Sequence, residues 1–344
     1  MNSTSSSFWS SLKHPIFALA PMHDVTDTAF RQLLAEVAKP DVMFTEFVAV
    51  DGLVHPTSRE KIIKYYLGYN KIERSLVAQL WGSDPKHFYE SAQIIEKLGF
   101  DGIDINMGCP DKKVVKSGGG AALMQNAKLA REIIIATQKA TKLPVSVKTR
   151  LGFNVVDFDF IRAIASAKPA ALTIHARTKK ELSMVPAHWD IVKEIVPELH
   201  KQGIIVLGNG DISSHEDALE KIKISGVDGV MIGRGVFGNP WIFTPLEKSC
   251  PKTTEVVPVA GCSLTGLKKE VREISFAEKL QVLYRHMELF EKSFEGIKSF
   301  SMLKKHVRGY IHGFEGAREM RAQIMDTKTI GEMKSVLKKM TNDQ

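Results

Sequence analysis

Eight short apolar runs recur along this chain, and helical start signals mark several of the segments between them. The runs cover residues 16–20, 42–44, 76–80, 102–106, 145–148, 171–175, 204–207 and 229–232. Thr26 and Asp27 open a helical pattern over 29–37, and Asp84-Pro85 opens 86–98. Asn126 opens 127–141, and Ser213-Ser214 opens 215–224. Each opener offers a side-chain oxygen to the free amides of a first helical turn, or a proline that lacks an amide to satisfy. An open, doubly wound sheet would alternate in the same way. Eight repeats within about 235 residues favour closure into a (β/α)8 TIM barrel.

In such a barrel, functional groups collect at the C-terminal ends of the strands. Here those ends are polar or glycine-rich, while the strand interiors are apolar. The first run leads into Pro21-Met22-His23-Asp24, the third carries Gln79 and ends at Gly82, and the fourth ends in Asn106 and Cys109. The fifth gives Lys148-Thr149-Arg150 and the sixth His175-Ala176-Arg177. The seventh gives Gly208-Asn209-Gly210-Asp211 and the eighth Gly233-Arg234-Gly235. Stability alone does not require that arrangement; a large polar ligand does. The two glycine segments read either as ordinary tight turns or as a phosphate site, in which backbone N–H groups approach an oxyanion that Arg234 holds from a second side. Flavin mononucleotide (FMN), with its single phosphate, fits them.

Lys148 and Gln79 are polar residues within otherwise apolar strands. Lys148 reads either as half of a rim salt bridge with Glu46 or Asp104, or as a cation at the polar edge of a flavin ring beside the Gln79 amide. His175 reads either as a hydrogen-bonded core histidine or as a site residue. Cys109 alone reads as a small buried residue or as a reactive thiol.

A chain of 344 residues with 44% hydrophobic content can bury one barrel-sized core and a smaller appendage. The expected divisions are a disordered lead over 1–14, the barrel over 15–245, a linker or insertion over 246–268 and a helical domain over 269–344. Pro251, Pro258, Gly261 and Gly266 punctuate the linker, which has no clear period. Beyond it, Leu280, Leu283, Met287 and Phe290 recur at helical spacing, then Met302, Val307 and Ile311, then Ile324, Ile330, Met333, Val336, Leu337 and Met340. That pattern predicts a small bundle.

No apolar run reaches the roughly 18 residues of a membrane span. The serine-rich start lacks the basic and apolar parts of a secretory signal. Cys109, Cys250 and Cys262 are too widely spaced for a disulfide framework or a CxxC metal site, so a cytoplasmic protein without metal is expected. Oligomeric state is left open, with a monomer as the default. The net charge is +8, and residues 265–344 hold 16 Lys+Arg against 11 Asp+Glu. That excess is either a solvated helical surface or a phosphate-facing one.

Residues 99–124 read GFDGIDINMGCPDKKVVKSGGGAALM. Asp104 and Asn106 alternate with Ile103 and Ile105 as in a strand, which Gly108 and Pro110 end. Cys109 therefore sits on a loop just past a strand's C-terminal end. The run from Asn106 to Pro110, with Lys112-Lys113 and Gly118-Gly119-Gly120, resembles the signature of the tRNA-dihydrouridine synthases, flavin enzymes that reduce a uracil ring within RNA. Val147-Lys148-Thr149-Arg150, His175-Ala176-Arg177-Thr178, and Ala20-Pro21-Met22 with Thr26-Asp27 are similar to further motifs of that family. The resemblance spans nearly the whole chain. It departs at Asp24 and Ala176, where glycine is usual or common, and in the length of the proline-rich segment around 245–268.

The resemblance implies a reductase of the uracil C5=C6 bond, with FMN supplying hydride to C6 and NADPH (or NADH) as reductant. It implies Cys109 as the acid that protonates C5. FMN would be held by Pro21, Met22, His23, Gln79, Lys148, His175, Asn209, Gly210, Asp211, Gly233 and Arg234. Asn106, Arg150 and Arg177 would meet the substrate, and Lys112, Lys113, Lys116 and the basic helical domain would grip tRNA. Three other readings compete: a small-molecule flavin enzyme of the dihydroorotate dehydrogenase type, an RNA-binding barrel without catalysis, and, behind these, a phosphate-binding aldolase or isomerase barrel.

Overall fold

The computed structural model describes residues 7–244 and 274–342, Phe314 apart. Eight parallel strands form the frame: β1 (Ile16–Leu19), β2 (Met43–Phe44), β3 (Leu76–Trp81), β4 (Gly102–Asn106), β5 (Val145–Gly152), β6 (Ala171–Thr178), β7 (Ile205–Asn209) and β8 (Gly229–Ile232). Their hydrogen-bonded order runs β1-β8-β7-β6-β5-β4-β3-β2. A bridge between Ala18 and Val42 returns β2 to β1, with Leu19 N–H donating to the Val42 carbonyl at 2.9 Å. The sheet thus closes on itself and leaves no open edge. A two-residue strand, Val48–Ala49, pairs with the far end of β3 and was not anticipated from its sequence.

The barrel helices include α1 (Thr28–Val37), α2 (Pro85–Leu98), α3 (Ala127–Ala140), α4 (Phe158–Ala165), α5 (Trp189–His200) and α6 (His215–Ser225). Asp27, Asp84, Asn126 and Ser214 each accept a backbone N–H at the helix start, as the sequence predicts. β5 and β6 run to Gly152 and Thr178, past the apolar stretches that announced them. Their ladder continues to a Gly152–Thr178 pair across a register shift. Backbone pairing, indifferent to side-chain polarity, carries the expected site residues Arg150, His175 and Arg177 on strand.

The barrel interior is layered. Ile16, Ala18, Val42, Phe44, Val77, Ala171, Leu207 and Met231 form its buried apolar lining. Trp9 joins that cluster from the N-terminal side, only 1% exposed, on a short helical turn (Phe8–Ser11) capped by Ser7. The expected disordered lead over 1–14 is corrected there: burying an indole ring of that size offsets the entropy of ordering the turn. The expected linker, 246–268, lies outside the described residues.

The C-terminal helices are α7 (Phe276–Phe294), α8 (Lys304–Tyr310), α9 (Ala317–Asp326) and α10 (Ile330–Asn342). Leu280, Leu283, Met287, Phe290, Val307, Ile311, Ile324, Met333 and Leu337 are buried, so the periodic positions do form a packed face. α7 lies along α1, where the Arg285 guanidinium donates twice to Glu36 at 2.8 and 2.9 Å. Gly238 (φ +70°) and Gly309 bring two backbones together where a side chain on Gly238 would overlap the Gly309 carbonyl.

Candidate active site

The C-terminal mouth of the barrel holds a cleft of about 630 Å³. Pro21, Met22, Lys148, His175, Asn209, Gly210, Asp211, Gly233 and Arg234 all line it, so nine of the expected cofactor residues meet in one place. His23 instead faces a neighbouring groove, and Gln79 lies beneath, fully buried. At the β7 and β8 ends, Gly210 (φ +135°) sits where an added side chain would strike Ala187 and His175, at 2.9 and 3.3 Å. The Asp211 carboxylate there is held by Arg177 and by Arg234, the latter at 3.2 Å. Two guanidinium groups against one carboxylate leave this end positive, as an anion requires.

Beneath the cleft, Lys148 Nζ donates to Asn209 Oδ1 at 3.1 Å, and Asn209 Nδ2 donates to the Met231 carbonyl at 2.7 Å. Neither carboxylate weighed as a salt-bridge partner for Lys148 takes it. Glu46 pairs elsewhere, and Asp104 reaches Lys148 only through its field. Burial, aided by the nearby Arg150, lowers the Lys148 ammonium to about 8. Burial also drives His175 far below its usual range, with Lys148 and three arginines adding to the effect, so the imidazole is neutral. Arg177 lies 3.3 Å from His175 Nε2. A guanidinium can only donate, so Nε2 accepts and the ring proton sits on Nδ1.

A buried hydrogen-bond chain leads from the barrel core to Cys109. Asp104 accepts from Ser146 Oγ at 2.6 Å and from Gln79 Nε2 at 2.7 Å. Gln79 Oε1 accepts from Asn106 Nδ2 at 2.9 Å. Asn106 Oδ1 in turn accepts the backbone N–H groups of Gly108 and Cys109, at 3.1 and 2.9 Å. The carboxylate fixes which way both amides point, and those amides fix the loop. Burial raises Asp104 to about 6 against these donors. Asn106 was expected to read the substrate, yet its oxygen is engaged by the loop and one N–H remains for a ligand. The sequence reading gives Asp104 no role in this hydrogen-bond chain; its signal is an acidic residue within a strand, where it is fully buried.

Cys109 is half-buried on that loop. Gly120 (φ +55°) packs against its carbonyl, where an added side chain would come to 2.9 Å, and Ala121 N–H donates to the same carbonyl at 3.0 Å. Burial pushes the Cys109 thiol up, while Arg150 and Lys148 are close enough to pull the other way. The resting thiol is held protonated, and the thiolate left after proton donation would face two cations. Arg150 and Arg177 were expected to reach for RNA or substrate. Instead both are buried braces. Arg150 donates to the carbonyls of Gly108, Thr178 and Leu182, and Arg177 to the carbonyl of Val185 and to Asp211.

Where barrel and C-terminal helices meet, Lys298 inserts a fully buried ammonium. It contacts Glu46 at 2.9 Å and Asp27 at 3.8 Å, and lies 4.5 Å from the ring centres of Tyr65 and Phe294. Glu46 also accepts the Asp24 N–H at 2.6 Å, and Lys305 contacts Asp24 at 3.1 Å. Among the described residues, His23, Asp24 and Glu46 are spaced as a metal would need, but Lys298 already supplies the positive charge there. Sequence reading missed this cluster, since Lys298 and Glu46 lie 252 positions apart.

A closed parallel barrel with a polar cleft at the strands' C-terminal ends, and a braced, half-buried thiol on a loop past one of them, defines a class: barrel enzymes whose chemistry sits at that mouth. Comparison with known proteins narrows it. The dihydrouridine synthase (Dus) family matches residues 18–344, and this chain belongs to that family of oxidoreductases. It is 39% identical over 336 residues to a probable tRNA-dihydrouridine synthase of Staphylococcus aureus (strain COL), covering 96% of this chain and 94% of that one. It is 37% identical over the same length to probable tRNA-dihydrouridine synthase 2 of Bacillus subtilis (strain 168), covering 96% and 95%. Among the described residues, no helix is long and apolar enough to cross a membrane.

Proposed function

We propose that this protein reduces the C5=C6 bond of a uridine in tRNA, with FMN as cofactor and NADPH (or NADH) as reductant. The observation that carries the reading is the braced Cys109, a thiol fixed through Asn106 and Gln79 to Asp104 in the barrel core, with Lys148 of the cleft close enough to act on it. The cleft's residues fit FMN. Gly210, Gly233 and Arg234 would take the phosphate, and Lys148, with one described partner and donors left over, would meet the polar edge of the ring. Met22 and Pro21 would meet its face. FMN, when bound, would supply the hydride for C6 after receiving it from the dinucleotide.

The chain's own task is the proton. Cys109 gives its S–H proton to C5 as the hydride reaches C6, so a double bond becomes a single bond with two hydrogens added. The resulting thiolate is stabilised by Lys148 and Arg150 until solvent reprotonates it. Neutral His175 offers its Nδ1 proton as a hydrogen-bond donor and does not repel the cations around it. A uridine must leave its stack to reach the barrel mouth, so the RNA backbone has to be held elsewhere. Lys305, Arg308 and Arg321 line a cleft of about 590 Å³ on the C-terminal helices beside Phe237, which also lines the cofactor cleft. Lys304, held by the Met325 and Thr327 carbonyls, does not line this cleft, whereas Lys305 and Arg321 line it while also contacting Asp24 and the Ile311 carbonyl.

The test is direct. FMN-loaded protein, NADPH and tRNA lacking dihydrouridine should yield tRNA heavier by two hydrogens at a uridine, read by mass spectrometry. Oxidation of the reduced flavin by free dihydropyrimidine precursors or fumarate, and not by tRNA, would overturn the reading in favour of a small-molecule enzyme.

A further inference from the structure

Beside the cofactor cleft, and separate from it, lies a groove of about 550 Å³. Four rings line it, His23, Phe47, Tyr66 and Trp81, together with aliphatic residues, Asp111 and Lys113. None of the four rings is fully buried. His23 is nearly parallel to Tyr66 (26°, 5.7 Å between centres) and lies 5.3 Å from Phe47. Tyr66 is carried on a π-helical turn, Ile63–Leu67, a winding that is rare and concentrates at functional sites. The cofactor cleft uses none of these rings.

The groove's position says what could lie in it. One wall is His23, which follows Met22 of the cofactor cleft; another is Asp111, two residues past Cys109 and so within about 7 Å of it along the chain. The short helix over Lys112–Lys116 sets Lys112, Lys113 and Lys116 along its flank, three cations against the single capping Asp111. Rings for flat apolar faces beside lysines for phosphates are the pairing that holds single-stranded nucleic acid.

We propose that this groove is a nucleobase subsite that stacks the base next to the reduced uridine in the RNA chain, so that two neighbouring nucleotides are unstacked together. The proposal rests on the function proposed above. Stacking the neighbour on Phe47, Tyr66 or Trp81 offsets the cost of parting it from the target and holds the opened strand at the catalytic loop.

The experiment uses the full-length, FMN-loaded protein and its Phe47→Ala, Phe47→Leu and Trp81→Leu variants, with two half-reactions measured separately. Flavin reduction by NADPH should be unchanged in all three. The KM for tRNA should rise by about tenfold or more in Phe47→Ala, in line with losing one base–ring stack. In parallel, tRNA with an abasic residue on either side of the target uridine is tested. At one flank it should cost the unaltered protein a similar factor, and cost Phe47→Ala little further, because the stack is already gone. Unaltered KM in the variants, or indifference of the unaltered protein to both abasic substitutions, would overturn the subsite. So would slowed flavin reduction with tRNA kinetics intact, which would assign the groove to the dinucleotide. Activity on tRNA with indifference to its neighbours sinks the subsite alone; no reaction with any tRNA sinks the function with it.

Discussion

Replacing Lys298 by Met removes one charge from a site where burial is complete. The Lys298 and Glu46 side chains are both 0% exposed, and Asp27 beside them is 8% exposed. Methionine nearly matches the lysine stem in length, so little packing is lost. What remains is a buried Glu46 carboxylate whose other oxygen holds the Asp24 N–H. Breaking one half of such a pair costs about 3–5 kcal/mol, and lost contact with the Tyr65 and Phe294 rings adds about 0.5–2 kcal/mol.

pH supplies the sharper check. Burial raises Asp27 to about 6, and Lys298 is the main influence lowering it. A carboxyl group whose folded value lies above its unfolded one stabilises the fold below the unfolded value, and that help is lost as pH rises through the folded value. Without Lys298 the Asp27 value climbs further. The deficit of Lys298→Met should therefore widen between about pH 6 and 8 and shrink towards pH 5. Urea unfolding of the two proteins at several pH values measures it. A second variant, Lys298→Met with Glu46→Gln, should recover a large part of the loss, because Gln keeps an acceptor for Asp24. A deficit under about 1 kcal/mol, flat with pH, would refute the reasoning and reduce the contact to a surface-like ion pair.

Other outcomes follow from the same geometry. Trp9→Ala should cost about 3–5 kcal/mol in urea unfolding, as for other buried aromatics; a cost near zero would return the residue to the disordered lead. Neutralising Lys305, Arg308 and Arg321 together should weaken tRNA binding, lower the slope of log affinity against log salt by about two to three, and leave FMN content intact. Equal salt slopes would remove this cleft from the RNA path. The rate of flavin oxidation by tRNA should fall above about pH 8, where Lys148 loses its proton. The thiol, pushed up by burial, should add its own loss only at higher pH. In Lys148→Met the lower of these two steps should vanish.

Much of the frame was legible because it depends on local pattern. Asp27, Asp84, Asn126 and Ser214 cap the helices they announce, and the polar strand ends converge at one mouth. Legibility failed where meaning depends on partners distant in sequence. Arg150 and Arg177 carry the charge of RNA-gripping residues but lie buried against carbonyls. Asn106 carries a base-reading amide, yet its oxygen is committed to two backbone groups of its own loop. Trp9 sits in a serine-rich start that gives no periodicity, and only the barrel floor explains it. Asp24, where the resemblance implies glycine, adopts φ +56°; its N–H donates to Glu46 and its carboxylate meets Lys305, and a glycine could keep only the first of these contacts.

The most direct measurement is the oxidation of reduced flavin by tRNA under anaerobic conditions, compared between the unaltered protein and Cys109→Ala. Loss of a positioned acid predicts a rate lower by about 10²–10⁴, with FMN content and flavin reduction by NADPH preserved. Oxidation at the unaltered rate in Cys109→Ala would mean that the proton comes from elsewhere.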